Sequence, residues 1–423
     1  MERQITHAPH GHILTNANVW SPDGRRIVYD VRSDPAGDKF DGMQIETVDV
    51  DTSKTCVVYE STRGAHCGVA TFHPVLNRVV FILGPEDPTP HFTYGPARRR
   101  GVIVDESAPG VAIGLDARDL LPPFTPGALR GGSHVHVFSG DGSRVGFTYE
   151  DHILPTGKGE LNQRNVGASV LDSPVVVPRH PRNHEGSGFS VLVTRTTDRP
   201  RSGSDEISKA FEDAWVGTSG YLRADGSRQR WAIAFQGLVA AAQNTTVAEV
   251  FIVDLPKDLT RPSDGPLQGT LTTRQRPPLG CLQRRLTHTE GRKHPGIQGP
   301  RHWLRSSPDG SAIAFLMRDD AGIVQLWTVA PNGGLFMQLT CSPENVSSAF
   351  TWSPDGSFLA CVIGTCVCTV EVSNGRITPL TGQCSAGEGP RPEACVFSPD
   401  GRHLAYVRRI SQENQIFVCD VPS

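Results

Sequence analysis

SSPDG (306–310), WSPDG (352–356) and FSPDG (397–401) are one phrase written three times near the end of this chain. The aspartates Asp309, Asp355 and Asp400 lie 46 and 45 residues apart, and each phrase runs into a short apolar stretch: SAIAFLM, SFLACVI and RHLAYV. Proline at the first corner of a turn, aspartate at the second and glycine at the positive-φ exit describe a tight hairpin between two strands. A β-type unit that recurs every ~40–50 residues is the mark of a propeller blade.

Weaker copies stand upstream in NVWSPDGRRIVYD (18–30), VATFHPVLNRVVFIL (69–83) and HVFSGDGSRVGFTY (136–149). A second phrase precedes several blades: RRLT (284–287), MQLT (337–340), TPLT (378–381) and, ahead of the first blade, RQIT (3–6). The last strand-like run, IFVCDV (416–421), has no Leu-Thr phrase after it. RQIT is therefore expected to supply the outer strand of the last blade, which leaves no sheet edge open at the seam. Between Asp141 and Asp309, FSVLVTRT (189–196), QRWAIAFQ (229–236) and EVFIVDL (249–255) read as strands. SDEISKAFEDAWV (204–216) instead has helical spacing through Ile207, Phe211 and Trp215, and Asp205 and Glu206 suit a helix start. The count is seven blades, with six or eight left open. One propeller spanning 1–423, irregular over 151–300 and carrying a short helical insertion, is expected.

The chain has 423 residues and a net charge of −3, which excludes nucleic acid and acidic membrane as the main partner. Its basic residues are 35 Arg against 6 Lys, the better fork for carboxylates or simply the mark of a G+C-rich genome. MERQITHAPHGHILT contains no apolar export core, so a cytoplasmic location is expected. Most of the 10 cysteines sit in apolar strand-like runs and read as buried free thiols.

The xxLT phrase, a loop of about ten residues and then FSPDG with a strand together resemble the propeller domain of TolB and its relatives. The chain is also similar to the YidR-like family of bacterial proteins through RGGSHVHVFS (130–139), RNVG (164–167), GSDEI (203–207), PRHW (300–303) and AFLMRDDAGIVQLW (314–327). Together these resemblances imply an all-β, seven-bladed TolB-like propeller. Within the TolB-like propellers, oligogalacturonate lyases hold a divalent metal over the channel with histidines and a glutamine, and cleave uronate oligosaccharides by β-elimination. The likeness to them lies in blade architecture and clustered histidines, not in an aligned catalytic motif. In those lyases the glutamine comes shortly ahead of a His-x-His, whereas Gly131, Gly132 and Ser133 precede His134 here.

Many histidines fall in loops that lead into inner strands, where side chains of different blades converge on the channel. His66 lies in RGAHCG, His134 and His136 open the third blade, and His288, His294 and His302 share one loop with Gln298 and Arg301. On a regular strand, i and i+2 point to one face, so His134 and His136 would meet one ion, as Mn, Zn or Ni accept; His302, or else His294, is the third candidate ligand and Gln298 a candidate oxygen ligand. The competing reading makes both histidines packing residues at a blade edge. Arg130 and Arg164 are candidate carboxylate clamps, or else inter-blade ion pairs. His66, His294 and Arg301 are candidate catalytic bases. Arg98–Arg100 reads as a solvated loop run.

Metal-assisted, lyase-like cleavage of an acidic oligosaccharide at the central channel is the expected function, with a divalent metal ion and no nucleotide cofactor. Two alternatives stand beside it. One is a non-catalytic propeller binding a protein or another small anionic ligand on its face; the other is a metal-dependent hydrolase or epimerase of a sugar derivative.

Overall fold

A computed structural model of the chain describes residues 2–34, 37–154, 164–241, 245–300, 303–385, 387–393 and 395–422. Seven four-stranded antiparallel sheets follow one another as the blades of a β-propeller, and we number them in chain order. Blades 1 to 6 span 11–60, 67–114, 131–192, 207–285, 305–338 and 351–379. Blade 7 is built from Val396–Phe397, His403–Ile410 and Glu413–Asp420, with Glu2–Gln4 as its outer strand. The closure expected of RQIT is thus present, with Glu2 opposite Cys419 and Gln4 opposite Phe417.

Both repeated phrases have a local cause. In the SPDG turns the serine hydroxyl donates to the aspartate and accepts the N–H that opens the second strand. Ser353 Oγ bonds Asp355 Oδ1 at 2.5 Å and Phe358 N donates to Ser353 Oγ at 2.9 Å. Gly356 takes φ 75°, which glycine adopts without strain. In blade 2, where HPVLNR replaces the phrase, His73 Nδ1 accepts Val75 N and Leu76 N instead.

The threonine of the Leu-Thr phrase accepts a backbone N–H from the third strand of its own blade. Leu326 N reaches Thr340 Oγ1 at 2.9 Å, Ile416 N reaches Thr6 Oγ1 at 2.8 Å, Val250 N reaches Thr287 Oγ1 at 2.9 Å and Val367 N reaches Thr381 Oγ1 at 3.0 Å. Thr340 and Thr6 in turn donate to Gln325 and Gln415, the residues just before those N–H groups. The repeat therefore encodes a clasp between the outer and third strands, where an unpaired N–H would otherwise be buried.

The apolar core lies between sheets. Ile5, Trp20, Val28, Phe72, Phe81, Val407 and Val418 form one cluster across blades 7, 1 and 2. Each sheet is covered on both faces, so its strands read as near-continuous apolar runs.

The segment 204–216 is corrected from helix to strand: Ile207–Trp215 is the inner strand of blade 4. Its pairing with Trp231–Ala240 shifts register twice, between Ile207 and Ala210 and between Phe211 and Ala214. Each bulge inserts a residue, so inward-facing positions recur at wider intervals than two and imitate a helical period. Bulges of this kind recur in the inner strands of blades 2, 3 and 4. Each places a residue in the left-handed region three positions before the aromatic that ends the strand: Val69 (φ 59°), Val135 (φ 57°) and Glu212 (φ 55°). For the β-branched valines this is a strained conformation.

Candidate functional site

The SPDG turns mark one mouth of the channel. There a cavity of about 390 Å³ is lined by residues of all seven blades, among them Trp20, Phe72, Phe138, Trp215, Trp352 and Phe397. The tryptophans double as fasteners: Trp20 Nε1 donates to Val396 O (3.0 Å), Trp215 Nε1 to Val137 O (2.9 Å) and Trp352 Nε1 to Arg305 O (2.9 Å). Asp213 and Arg305 also reach this cavity. Arg305 crosses toward blade 1, donating through Nη2 to Asn16 O at 2.7 Å. Asp213 accepts Thr148 Oγ1 at 2.9 Å, and burial pushes its carboxyl up to about 7, with Glu212 acting in the same sense and Thr148 and Arg305 opposing.

Because folded Asp213 holds its proton more tightly than an unfolded aspartate, its contribution to stability is full below pH ~4 and is lost as pH rises through about 7. Asp213→Asn is expected to flatten the fall in melting temperature between pH 4 and 8 and to be the more stable form at pH 8, by at most ~4 kcal/mol. Unfolding curves across that range check it, and parallel profiles for the two proteins would refute it.

The opposite mouth carries the residues singled out in the sequence. The described residues that cover it come from the loops joining the second and third strands of blades 1 and 2, and from Arg164 just before the third strand of blade 3. From blade 1 comes Phe40, stacked on Tyr94 of blade 2 (centroids 4.7 Å apart, planes 16° apart) with Arg32 over its ring at 4.5 Å. From blade 2 comes Arg99, whose Nη1 lies 3.4 Å from Tyr94 Oη and whose guanidinium sits 5.9 Å from that ring. Arg164, at the end of the blade 3 loop, donates through Nε to Glu150 Oε1 at 2.7 Å. His66 enters from the loop before blade 2, half-buried and tilted against Tyr94 at 5.8 Å, its Nδ1 without a partner among the described residues. Burial holds the imidazole of His134 well below its usual pKa, with the charges of Arg99 and Arg164 and the neighbouring His136 adding to the effect, so it is neutral at physiological pH. His66, His134 and Arg164 are thus brought together, joined by Tyr94 and Arg99.

The glycines before His134 make this approach feasible. A Cβ on Gly132 would fall 2.1 Å from Pro96 O, and one on Gly131 would fall 2.1 Å from Glu150 O. Only a bare backbone lets the turn Pro96–Arg98 settle on the start of the inner strand and carry Arg99 to His134.

Other expectations need correction. His134 and His136 do not follow the i, i+2 rule, because the bulge at Val135 lies between them. His136 is turned into the seam between blades 2 and 3. Its Nε2 lies 3.0 Å from Ser133 Oγ, which reaches Asp116 Oδ1 at 3.2 Å, and a Cβ on Gly101 would stand 2.7 Å from it. Burial, helped by Arg99, brings its pKa down to about 3. Arg130 is no clamp at the mouth: it is 1% exposed, paired with Asp151 at 2.9 Å, and its remaining donors are taken by the carbonyls of Thr270 and Thr273. Gln298 donates through Nε2 to Pro295 O (2.8 Å), a bond that does not engage the Oε1 a metal would use, whereas His294 packs near Gly322 in the Asp319–Gly322 hairpin of blade 5, away from His134. Arg301 and His302 lie outside the described residues. Among those that are described, no three His, Cys, Asp or Glu residues gather at one point. Arg98, Arg99 and Arg100 are not a solvated run, for all three are half-buried against Phe92, Tyr94 and Glu86. No helix among the described residues is long and apolar enough to cross a membrane.

A family model described as a protein of unknown function (DUF3748) matches residues 66–184, the stretch that holds all of this mouth except Phe40 and Arg32. The uncharacterized protein YidR of Escherichia coli (strain K12) is 45% identical over 410 residues, 96% of this chain and 94% of that protein. Among solved structures, an oligogalacturonate lyase in complex with manganese superposes with a TM-score of 0.59 at 12% identity, covering 100% of this chain and 93% of that one. An oligogalacturonate lyase from Vibrio parahaemolyticus gives 0.56 at 9%, covering 100% and 94%. The β-propeller domain of the Trilobed protease from Pyrococcus furiosus gives 0.50 at 9%, covering 98% and 94%. At these identities the solved structures speak for the fold alone.

Proposed function

Because the chain belongs to the family of YidR, whose activity is open, we propose its function from the mouth itself: recognition and lyase-like cleavage of an acidic oligosaccharide. One observation carries the reading. The charges of Arg99 and Arg164 both act on a neutral His134, and Arg99 reaches the stacked Phe40–Tyr94 pair against which His66 is tilted. Guanidiniums suit a uronate carboxylate, and an aromatic pair offers the apolar platform on which a sugar ring rests.

In β-elimination Arg99 and Arg164 hold the carboxylate and draw off the charge that gathers there as the C5 proton leaves. The half-buried imidazole of His66 takes that proton. The electron pair of the C5–H bond becomes the C4=C5 double bond, and the C4–O bond breaks. Tyr94, whose phenol stays protonated because burial raises its pKa, stands as the donor to the leaving oxygen. A divalent ion belongs to the proposal through His134, with His302 from outside the described residues. The described residues do not complete that donor set, so no step is assigned to the ion.

With oligogalacturonate as substrate, the purified protein should release product absorbing as an unsaturated uronate. His66→Ala should lower turnover by roughly 10²–10⁴, and Arg99→Gln should chiefly raise KM. Silence of the wild-type protein toward every uronate oligomer tested, with and without added manganese, would sink the reading. Elemental analysis with and without His134→Ala tests the metal. The aromatic-lined cavity at the SPDG mouth favours a second reading, a binding propeller without catalysis. In that case the His66→Ala protein would keep its ligand and no product would form. Hydrolysis or epimerisation of a sugar derivative would use the same side chains, and product analysis separates them.

A further inference from the structure

Beside the candidate site, between blades 2 and 3, lies a second hollow of about 510 Å³ with five arginines in its wall: Arg63, Arg98, Arg100, Arg118 and Arg182. Two carboxylates face them. Glu86 pairs with Arg100 at 2.8 Å and with Arg63 at 3.6 Å, and Asp87 pairs with Arg63. Arg98, Arg118 and Arg182 have no carboxylate within ion-pair distance among the described residues. They are nonetheless held in place. Arg98 and Arg182 both lie over Phe92, at 4.9 and 4.6 Å. Arg182 donates to Glu86 O (3.1 Å) and Asp87 O (3.3 Å), Arg98 to Thr93 O (3.3 Å), and Arg118 to Arg99 O (2.6 Å) and Gly131 O (3.3 Å). Carbonyls and an aromatic ring fix these guanidiniums, and carboxylates offset their charge only from beyond ion-pair distance, Asp116 for Arg118 and Asp87 for Arg182. Three fixed cations in one hollow repel one another until an anion enters.

We propose that this hollow is an anion subsite, built to take a second carboxylate of the same acidic oligosaccharide. The subsite rests on the function proposed above for its substrate class and on the arginine geometry for its existence. Arg99 joins the two places: its guanidinium faces Tyr94, while its carbonyl carries Arg118 and its chain neighbours Arg98 and Arg100 line the hollow. A ligand with regularly spaced carboxylates would use both. Planar guanidiniums meet a carboxylate through paired N–H donors, which a lysine cannot do.

Calorimetry on the full chain at low ionic strength, where charge is least screened, tests the inference with galacturonate, trigalacturonate and inorganic sulfate as probes. Wild-type protein should bind trigalacturonate more tightly than galacturonate and should bind sulfate saturably. Arg182→Gln and, independently, Arg98→Gln should each weaken trigalacturonate and sulfate at least tenfold and galacturonate less than twofold, with melting curves confirming that both variants fold. Variants that weaken all three probes alike, or none, overturn the subsite. If sulfate binding is saturable and lost in both variants while no uronate binds, the anion site stands with another acid as its ligand and the uronate lyase reading falls. Absence of sulfate and uronate binding together overturns both.

Discussion

Deleting residues 1–6 is expected to lower stability by on the order of 5 kcal/mol and to make the protein self-associate. The strand Glu2–Gln4 forms ladder bonds with Glu413–Asp420, and Ile5 N adds a bond to Ile416 O at 2.9 Å. Ile5 is fully buried in the cluster shared by blades 7, 1 and 2. Burial of one isoleucine contributes roughly 2–3 kcal/mol, and each of several hydrogen bonds about 1 kcal/mol. Thr6 is lost with them, so Gln415 and the N–H of Ile416 lose their clasp, and Glu2 no longer ties Arg408 at 2.7 Å. A folded domain is stable by only ~5–15 kcal/mol, so the loss is a large share of the whole. The last strand of blade 7 then becomes a free edge, ready to pair with another chain. Melting curves and gel filtration read both effects, and a synthetic peptide of residues 1–8 should restore part of the lost melting temperature. A truncated protein that melts within about 2 °C of the full chain would show that the closure contributes little, since ~1 kcal/mol already moves a large domain by that much.

Arg130→Met and Arg164→Met should part company, although both residues are arginines near the same inner strand and both were candidate clamps. Arg130 is sealed in, so its replacement leaves Asp151 charged in the interior and the carbonyls of Thr270 and Thr273 without donors. Breaking a buried pair in this way costs about 3–5 kcal/mol. The loop over 261–280, which Arg130 holds to blade 3, should become open to proteolysis. Arg164 has a side chain 38% exposed and one ion pair with Glu150, whose own side chain is 3% exposed, so its loss should cost more than a surface pair but less than that of Arg130, about 1–3 kcal/mol, while weakening uronate binding. Urea titrations of both variants, set against uronate affinity, decide the matter. Equal destabilisation would mean that Arg164 also serves the scaffold.

The architecture was legible because its signals are short and local. SPDG and Leu-Thr each mark a hydrogen-bonded unit of a few residues, and such units look alike wherever they occur. The closure by RQIT was legible for the same reason, since a strand that lacked its clasp at one end had a spare clasp at the other. The inner strands of blades 3 and 4 were harder. Their bulges change which way a side chain faces without changing which residues are apolar. Hence Ile207, Phe211 and Trp215 imitated a helix, and His134 and His136 read as a matched pair.

At the candidate site, His66, His134 and Arg164 could be picked out from loop position alone. Tyr94, Arg99 and Phe40 could not, because they do not lie on the loops that enter each blade. Loops between second and third strands reach the same mouth. The long gap between Leu83 and Arg100, rich in aromatics and arginine, was the signal that pointed to them. Arg130 misled because nothing in a sequence tells a buried guanidinium from an exposed one until its partners, here some 140 residues away, are placed beside it.

The pairing of Glu2 with Cys419 also sets an order of events during synthesis. The strand Glu2–Gln4 waits longest for its place, because its partner is made some four hundred residues later. Until then Ile5 remains uncovered, and blades 1 to 6 stand as an open arc whose end sheets face water. Translation near the C-terminus, or a chaperone that shields the N-terminal strand, would therefore govern how much of the protein reaches the closed ring.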